Sequence, residues 1–149
     1  MSESMSKIFL DTNVLVYALD RRNKSKRLRA RRCIAEARKD SRGVISTQVL
    51  QEFFVASTKK LSVAPLRLKQ MIAWFERHFE IVNVTPPLIR DAIECSVRAK
   101  VSFWDALVIV AAESAGAAML WSEDLNAGQI IRDVQIVNPF TDNSPDASA

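Results

Sequence analysis

Histidine and cysteine are scarce in this chain of 149 residues, which contains one histidine and two cysteines. Because His78 is the single histidine, the sequence disfavours both a histidine-based zinc site and a Ser-His triad. Cys33 and Cys95 stand in segments with helical periodicity and lack the close spacing of metal-binding or redox pairs. We therefore expect two reduced thiols in a cytoplasmic protein, and metal ligands, if any, that are all oxygen atoms.

Long apolar segments are also missing from the sequence. The longest wholly apolar run, 106–112, is far shorter than the about 20 residues that span a bilayer. Residues 1–8 contain no apolar segment of the kind that a secretory signal needs. A content of 48% hydrophobic and 26% charged residues is typical of a soluble globular domain. We expect one domain over 7–140, flanked by flexible ends at 1–6 and 141–149.

Positive charge is concentrated in one segment. The chain has 21 basic and 17 acidic residues and a net charge of +4, yet residues 21–42 hold eleven of the basic residues and only two of the acidic ones. Such a segment is either the solvated face of a helix or a surface that follows the phosphates of a nucleic acid. Charge alone does not distinguish these two interpretations.

Predicted strands alternate with predicted helices along the chain. Short buried strands are expected at 7–10, 42–46, 80–85, 117–122 and 134–140. Helical periodicity occurs at 13–19, 47–60, 65–79, 86–100 and 102–116, and weakly within 21–42. This alternation predicts an α/β/α sandwich with a mostly parallel central sheet of about four to five strands. In such sheets ligands bind at the edge formed by the carboxyl ends of the strands.

Four acidic residues are predicted to meet at that edge. Asp11 directly follows the first strand. The helix that starts at Asp105 descends about 18 Å. The strand that ends at Trp121 climbs back about 17 Å, so Asp124 returns to the edge that Asp105 left. Glu52 lies in the second turn of its helix, and its longer side chain leans back toward the helix amino end.

Each of these acids also has an ordinary structural explanation. Asp11 fits a strand-to-helix turn, and Asp105 forms a capping box with Ser102. Asp124 fits the cap of a short helix, where the helix dipole favours acids. Glu52 fits an exposed helix position. Four independent caps need not converge, whereas these four acids are predicted to do so.

Converging carboxylates repel one another and need a cation. Oxygen ligands favour a hard, octahedral ion such as Mg²⁺ or Mn²⁺ over zinc. We expect Asp11, Glu52 and Asp105 to hold the principal ion, and Asp124 to hold a second ion or orient water. The chemistry that follows is attack of water on a phosphodiester. Neighbouring polar residues that would support the carboxylates or contact phosphate are Thr12, Asn13, Ser102, Ser122 and Glu123.

Four segments, in order, resemble the PIN-domain nucleases, and most closely the VapC-type toxins of bacterial toxin–antitoxin pairs. They are "FLDTNVLVYALD", "VISTQVLQEFF", "SFWDALVIVAA" and "LWSEDLNAGQII". The family pattern of acids falls on Asp11, Glu52, Asp105 and Asp124, with Ser122 in its hydroxyl position. Glu123, beside Asp124, leaves open which of the two contributes more.

This resemblance implies a Mg²⁺- or Mn²⁺-dependent endoribonuclease whose catalytic residues are those four acids. It also implies a homodimer, a cognate VapB-like antitoxin that holds the nuclease inactive, and a substrate such as tRNA or another structured RNA. With RNA as the substrate, the basic segment is favoured as a substrate-facing surface. Its candidate RNA-binding residues are Arg21, Arg22, Lys24, Lys26 and Arg27.

Other classes fit the sequence less well. The main alternative is a PIN-fold module that binds RNA or a protein without cleaving it, and the presence of all four acids argues against it. Phosphatases of the haloacid-dehalogenase kind need a second aspartate where Asn13 stands. Those phosphatases and response-regulator receivers also need a late lysine, and none suitable follows Lys100. Flap-endonuclease-like DNA nucleases need helices for which 149 residues leave little room.

Overall fold

A computed structural model describes residues 6–141 of the protein. The strands are β1 Ile8–Leu10, β2 Gly43–Ser46, β3 Glu80–Val82, β4 Met119–Trp121, β5 Ile130–Ile131 and β6 Val134–Val137. The helices are α1 Thr12–Tyr17, α2 Lys24–Arg38, α3 Thr47–Leu61, α4 Pro65–His78, α5 Pro86–Ala99 and α6 Phe103–Ser114. Nearly all of the predicted flexible ends, 1–5 and 142–149, lie outside the described residues.

The described residues form a six-stranded sheet in the order β3-β2-β1-β4-β6-β5. All neighbouring strands are parallel except the β5–β6 pair, which is antiparallel. The prediction of an α/β sandwich with a mostly parallel sheet is confirmed. The expected strand number was too low, because β5 has only two residues and is too short to show a periodicity.

Burial in the core follows the apolar pattern of the sequence. All three residues of the central strand β1 are buried, as expected for a strand that is covered on both faces. Helix α6 is buried throughout from Ala106 to Ala112, as expected for a helix that is apolar nearly all round. Gly116 follows α6 with a φ of 74°, a left-handed conformation that glycine adopts readily. Among the described residues, no helix is both long and apolar enough to cross a bilayer.

Gly43 is needed at the start of β2 because of a close approach. A Cβ atom at this position would lie 2.3 Å from the ring of Phe79. The missing side chain lets Phe79, itself buried, close the core at this end of the sheet.

The strand order places three strand ends next to one another. Strand β1 pairs with β2 on one side and with β4 on the other, in parallel. The residues that follow these strands, Asp11, Thr47 and Ser122, therefore stand at one edge of the sheet. Helices α1 and α3 both begin there.

Candidate active site

Asp11 is a buried carboxylate at the carboxyl end of β1. It caps α1, where its Oδ1 accepts a 2.7 Å hydrogen bond from the backbone N–H of Thr12. Its Oδ2 accepts a 2.7 Å bond from the hydroxyl of Ser122. Burial raises the pKa of Asp11 to about 6 although both bonds lower it, and the charges of Glu52 and Asp124 raise it further. Among residues 6–141, no cation compensates the charge of the ionised Asp11 carboxylate.

Asn13 links the end of β1 to the residues after β4. Its Nδ2 donates to Oδ2 of Asp124 at 3.1 Å and to Oγ of Ser122 at 3.4 Å. Its Oδ1 accepts a 3.2 Å bond from the backbone N–H of Glu123. Ser122 is fully buried, and its Oγ also accepts from the backbone N–H of Asp124 at 3.2 Å. Together these bonds hold the Asp124 carboxylate on the same network as Asp11.

Glu52 reaches this network from the second turn of α3. Its Oε1 accepts a 2.9 Å hydrogen bond from the hydroxyl of Thr12, the residue next to Asp11. The helix begins directly after β2, because the Ser46 hydroxyl caps it and accepts from the backbone N–H of Val49 at 3.3 Å. The position of Glu52 therefore follows from the pairing of β2 with β1.

Asp105 lies in the first turn of α6, where the Ser102 hydroxyl accepts a 3.1 Å bond from its backbone N–H. Gln48, one turn before Glu52, donates from Nε2 to the carbonyl oxygen of Trp104 at 3.3 Å and so joins α3 to the start of α6. No hydrogen bond within residues 6–141 joins the Asp105 carboxylate to the network that holds Asp11, Glu52 and Asp124. Over the same residues, no three histidine, cysteine or acidic side chains lie close enough together to hold one ion.

Glu123 differs from its neighbour Asp124 in having its own cation. The Lys26 ammonium forms an ion pair with its Oε2, and the Tyr17 hydroxyl donates to its Oε1 at 2.7 Å. The hydrogen bond to Glu123 raises the pKa of Lys26 above its usual value, so this ammonium stays charged near neutral pH. Lys26, a predicted RNA-binding residue, therefore has its charge directed at Glu123.

An open cleft of about 770 Å³ lies over the network; we call it the acidic cleft. Its polar lining residues include Thr12, Asn13, Glu52 and Asp124. Its apolar lining residues are Val16, Val55, Ala56 and Trp104, and its basic lining residues are Arg22, Lys59 and Lys60. Because cations that line a cleft attract polyanions, this lining suits a phosphate-containing substrate.

The donor set of the acidic cleft fits a hard divalent cation. The side chains around Asp11 offer carboxylate, hydroxyl and amide oxygens, which Mg²⁺ and Mn²⁺ prefer. The raised pKa of Asp11 marks a buried carboxylate that a cation would stabilise. The buried Oε1 of Gln48 has no hydrogen-bond partner among the described residues. The types of ligand atom fit such an ion. The carboxylates are not yet arranged around one point, because Asp11, Glu52 and Asp124 each accept a hydrogen bond from a different side chain.

Several side chains of this site were not among the residues predicted from the sequence. Tyr17 holds Glu123, and Asp20 receives three hydrogen bonds from Arg22, one from its backbone N–H and two from its guanidinium. Gln48 carried a detectable signal, because it is a polar residue on the apolar side of α3, four positions before Glu52. Nothing in the sequence indicated the roles of Tyr17 and Asp20, which depend on contacts between separate elements.

Comparisons with known proteins agree with this architecture. The sequence profile of the PIN domain matches residues 8–132. The fold is similar to that of VapC20 from Mycobacterium tuberculosis, a toxin that cleaves the sarcin–ricin loop. Its TM-score is 0.62 at 21% identity, over 76% of this chain and 87% of that chain.

Two further solved structures have similar folds. One is a toxin–antitoxin complex from Klebsiella pneumoniae, with a TM-score of 0.64 at 20% identity, over 90% of this chain and 98% of that one. The other is VapBC2 from Rickettsia felis bound to a DNA fragment from its promoter. It has a TM-score of 0.62 at 18% identity, over 87% of this chain and 96% of that one. No curated protein matches the chain in sequence.

Proposed function

Because the chain belongs to the PIN domain family, we propose that it is a metal-dependent endoribonuclease, the VapC-type toxin of a type II toxin–antitoxin pair. One observation carries the proposal. Hydrogen bonds through Thr12, Asn13 and Ser122 hold three carboxylates, those of Asp11, Glu52 and Asp124, at one edge of the sheet. Asp11 is buried, whereas Glu52 and Asp124 are exposed. The buried negative charge of Asp11 is costly unless a cation joins it, and the oxygen donors around it fit a cation.

The proposed catalytic residues and metal ligands are Asp11, Glu52, Asp105 and Asp124. When bound there, Mg²⁺, or Mn²⁺ in its place, would lower the pKa of a coordinated water and neutralise phosphate oxygens. Ser122 and Thr12 orient the carboxylates of Asp11 and Glu52, a support that sets ligand geometry. Asn13 does the same for Asp124. Asp105 joins from α6 and has to turn toward the other three.

The proposed partners are RNA, a cognate VapB-like antitoxin and a second copy of the chain. The similar Klebsiella pneumoniae structure is a toxin–antitoxin complex, which supports the antitoxin. Helix α5 exposes an apolar stripe with one residue per turn, Ile89, Ile93 and Val97, which supports the second copy. We also propose a cytoplasmic location, consistent with buried cysteines at Cys33 and Cys95.

Cleavage of total RNA tests the nuclease function. The protein, freed of any bound antitoxin, is incubated with RNA in Mg²⁺, in Mn²⁺ and in EDTA, beside Glu52→Gln, Asp105→Asn and the control Glu76→Gln. Glu76 is an exposed acid on α4. We expect discrete fragments with either metal for the wild type and the control. We expect none in EDTA and at least about ten-fold slower cleavage for the two site variants. Cleavage in EDTA, or full activity of both site variants, would refute the proposal.

A non-cleaving module with the PIN fold is the second candidate. It is favoured by the finding that, within residues 6–141, no three acidic, histidine or cysteine side chains lie close enough to hold one ion. The same experiment separates the candidates, because this module predicts RNA or protein binding without fragments in any lane. Calorimetric titration with Mn²⁺ adds a second criterion: the nuclease binds the ion and the module does not.

A further inference from the structure

A second cleft, of about 720 Å³, lies beside the acidic cleft; we call it the basic cleft. Six cationic side chains line it: Arg21, Arg22, Arg27, Arg31, Lys60 and Arg67. Its one acidic lining residue within the described chain is Asp20. Asp20 accepts hydrogen bonds of 2.9 and 3.1 Å from the Arg22 guanidinium, which lower the pKa of Asp20 below its usual value. Arg27 also lowers the pKa of Asp20 through its charge, and no hydrogen bond within residues 6–141 joins the other four cations of the lining to Asp20.

The cations of the basic cleft come from two distant parts of the chain. One group belongs to the connection between α1 and α2 and to the first half of α2. The other comprises Lys60, near the end of α3, and Arg67, in the first turn of α4. Arg31 is fixed in place, because its Nε donates to the carbonyl oxygen of Ala18 at 3.0 Å. The fold thus places Lys60 and Arg67 beside the basic segment 21–42. Counting charges along the sequence did not group these two residues with that segment.

The two clefts adjoin each other, because Asp20, Arg22 and Lys60 line both of them. A chain of phosphates that has one member at the carboxylates of the acidic cleft can therefore continue into the basic cleft. A row of cations leading away from a phosphodiester site is the arrangement expected for a surface that tracks a nucleic acid backbone.

An exposed indole marks the part of the acidic cleft that the basic cleft does not share. Trp104 lines the acidic cleft only, and 62% of its surface is exposed. Val55, which also lines that cleft, is 46% exposed. A flat aromatic surface beside a phosphodiester site suits stacking of an unpaired base, because bases in a duplex already stack on one another.

We propose that one RNA strand lies along both clefts, with an unpaired base on Trp104 and the scissile phosphate at the carboxylates. Its flanking phosphates on one side then lie on Arg27, Arg31, Lys60 and Arg67. This inference rests on the proposed nuclease function. It adds that the RNA is single-stranded at the cut, and it assigns the phosphate contacts to both halves of the basic cleft.

Salt-dependent binding tests the path. The probe is a fluorescein-labelled oligoribonucleotide of mixed sequence, titrated with protein in EDTA and followed by fluorescence anisotropy over a range of salt concentrations. The test variant Arg31→Ala/Arg67→Ala is compared with the control Arg77→Ala/Arg90→Ala, which removes the same charge from exposed positions on α4 and α5. The slope of log affinity against log salt is negative, and each lost phosphate contact reduces its magnitude by about 0.7. At 0.1 M salt the same loss weakens binding by about five-fold.

We expect the test variant to lose about 1.4 of that slope and the control to keep the wild-type value. Trp104→Ala should bind at least about five-fold more weakly with an unchanged slope, because it removes a stacking surface and no charge. Equal slopes for test and control variants, with RNA cleavage by the wild type intact, would overturn the path and leave the nuclease function standing. A wild type that neither binds nor cleaves RNA would overturn both, and an acidic protein segment would then be the ligand to examine.

Discussion

Replacing Asp11 by asparagine should stabilise the metal-free protein near neutral pH, contrary to what is expected for most buried polar residues. Asp11 is 7% exposed, and burial raises its pKa from 3.8 to about 6. The folded protein therefore holds this proton more tightly than the unfolded chain does. At a pH below the pKa that Asp11 has in the unfolded chain, Asp11 is protonated in both states and does not lower the free energy of unfolding. The loss of stability reaches its full value as the pH rises through about 6, where Asp11 ionises in the folded protein.

The size of the effect follows from the change in pKa. A rise of about 2 in pKa corresponds to about 3 kcal/mol at a pH where the carboxylate is ionised in both states. Asparagine keeps one oxygen to accept from the Thr12 N–H, but its amide has to donate to Ser122, whose hydroxyl proton must then turn away. Since that hydroxyl currently donates to Asp11, part of the gain is lost. We expect a net stabilisation of about 1–2 kcal/mol.

Urea unfolding in EDTA at about pH 7 and about pH 4 measures this difference. The matched control is Asp40→Asn, because Asp40 is exposed and has a φ of 61°, a conformation that asparagine also tolerates. Asp11→Asn should exceed the wild type in free energy of unfolding at the higher pH and lose that advantage at the lower pH. Asp40→Asn should change little at either pH.

Added Mg²⁺ or Mn²⁺ should reverse the order of the two proteins. An ion that binds only the folded state stabilises it by about 2.7 kcal/mol at a hundred times its Kd. The wild type should gain this stabilisation and Asp11→Asn should not. If Asp11→Asn were instead less stable than the wild type in EDTA at about pH 7, the carboxylate would already be compensated by the protein. The site would then need no cation to stabilise Asp11.

Three further predictions concern the supports of the site. Gly43→Ala should lower the free energy of unfolding by about 1–3 kcal/mol, because the Phe79 ring has to move; a change near zero in urea unfolding would contradict this. Ser122→Ala removes a bond that lowers the pKa of Asp11, so calorimetry should find half-maximal Mn²⁺ binding at a higher pH, and an unmoved pH profile would count against it. Ser102→Ala removes the cap of α6, which should cost about 1 kcal/mol and speed hydrogen exchange in the first turn of α6; unchanged exchange would rule out that role.

The fold was predictable because its signals are local and repeated. The alternation of strands and helices and the burial of α6 can both be read from the spacing of apolar residues. The short strand β5 was missed, since two residues carry no period. Its pairing with β6 depends on the turn through Arg132 and Asp133, both with positive φ. Neither residue is a usual turn glycine or asparagine, so no turn signal marked that hairpin.

For the candidate site, the sequence predicts which strands and helices carry the acids. It does not predict which side chains contact one another. Asp11 and Asp124 follow strands that end at the same edge of a parallel sheet, which the sequence predicted, and the pairing of β1 with β4 in the structure makes those strand ends neighbours. For Asp105, the length of its helix predicts that the residue lies at the carboxyl edge of the sheet. Helix length does not predict the direction in which the Asp105 carboxylate points. The bond between Gln48 and the backbone of Trp104, which ties α3 to α6, joins residues that are distant in sequence. Such a contact has no sequence pattern.

The two acids after β4 illustrate how contacts assign roles that sequence leaves open. Glu123 and Asp124 are adjacent and similar in chemistry, and either could complete an acidic site. In the fold, the backbone N–H of Glu123 is bound by Asn13 and its carboxylate turns to Lys26, so its charge is already paired. Asp124 receives only the neutral amide of Asn13 and keeps its charge within the network of Asp11. Since a metal ion is attracted by uncompensated charge, Asp124 is the stronger candidate ligand and Glu123 holds the loop in place.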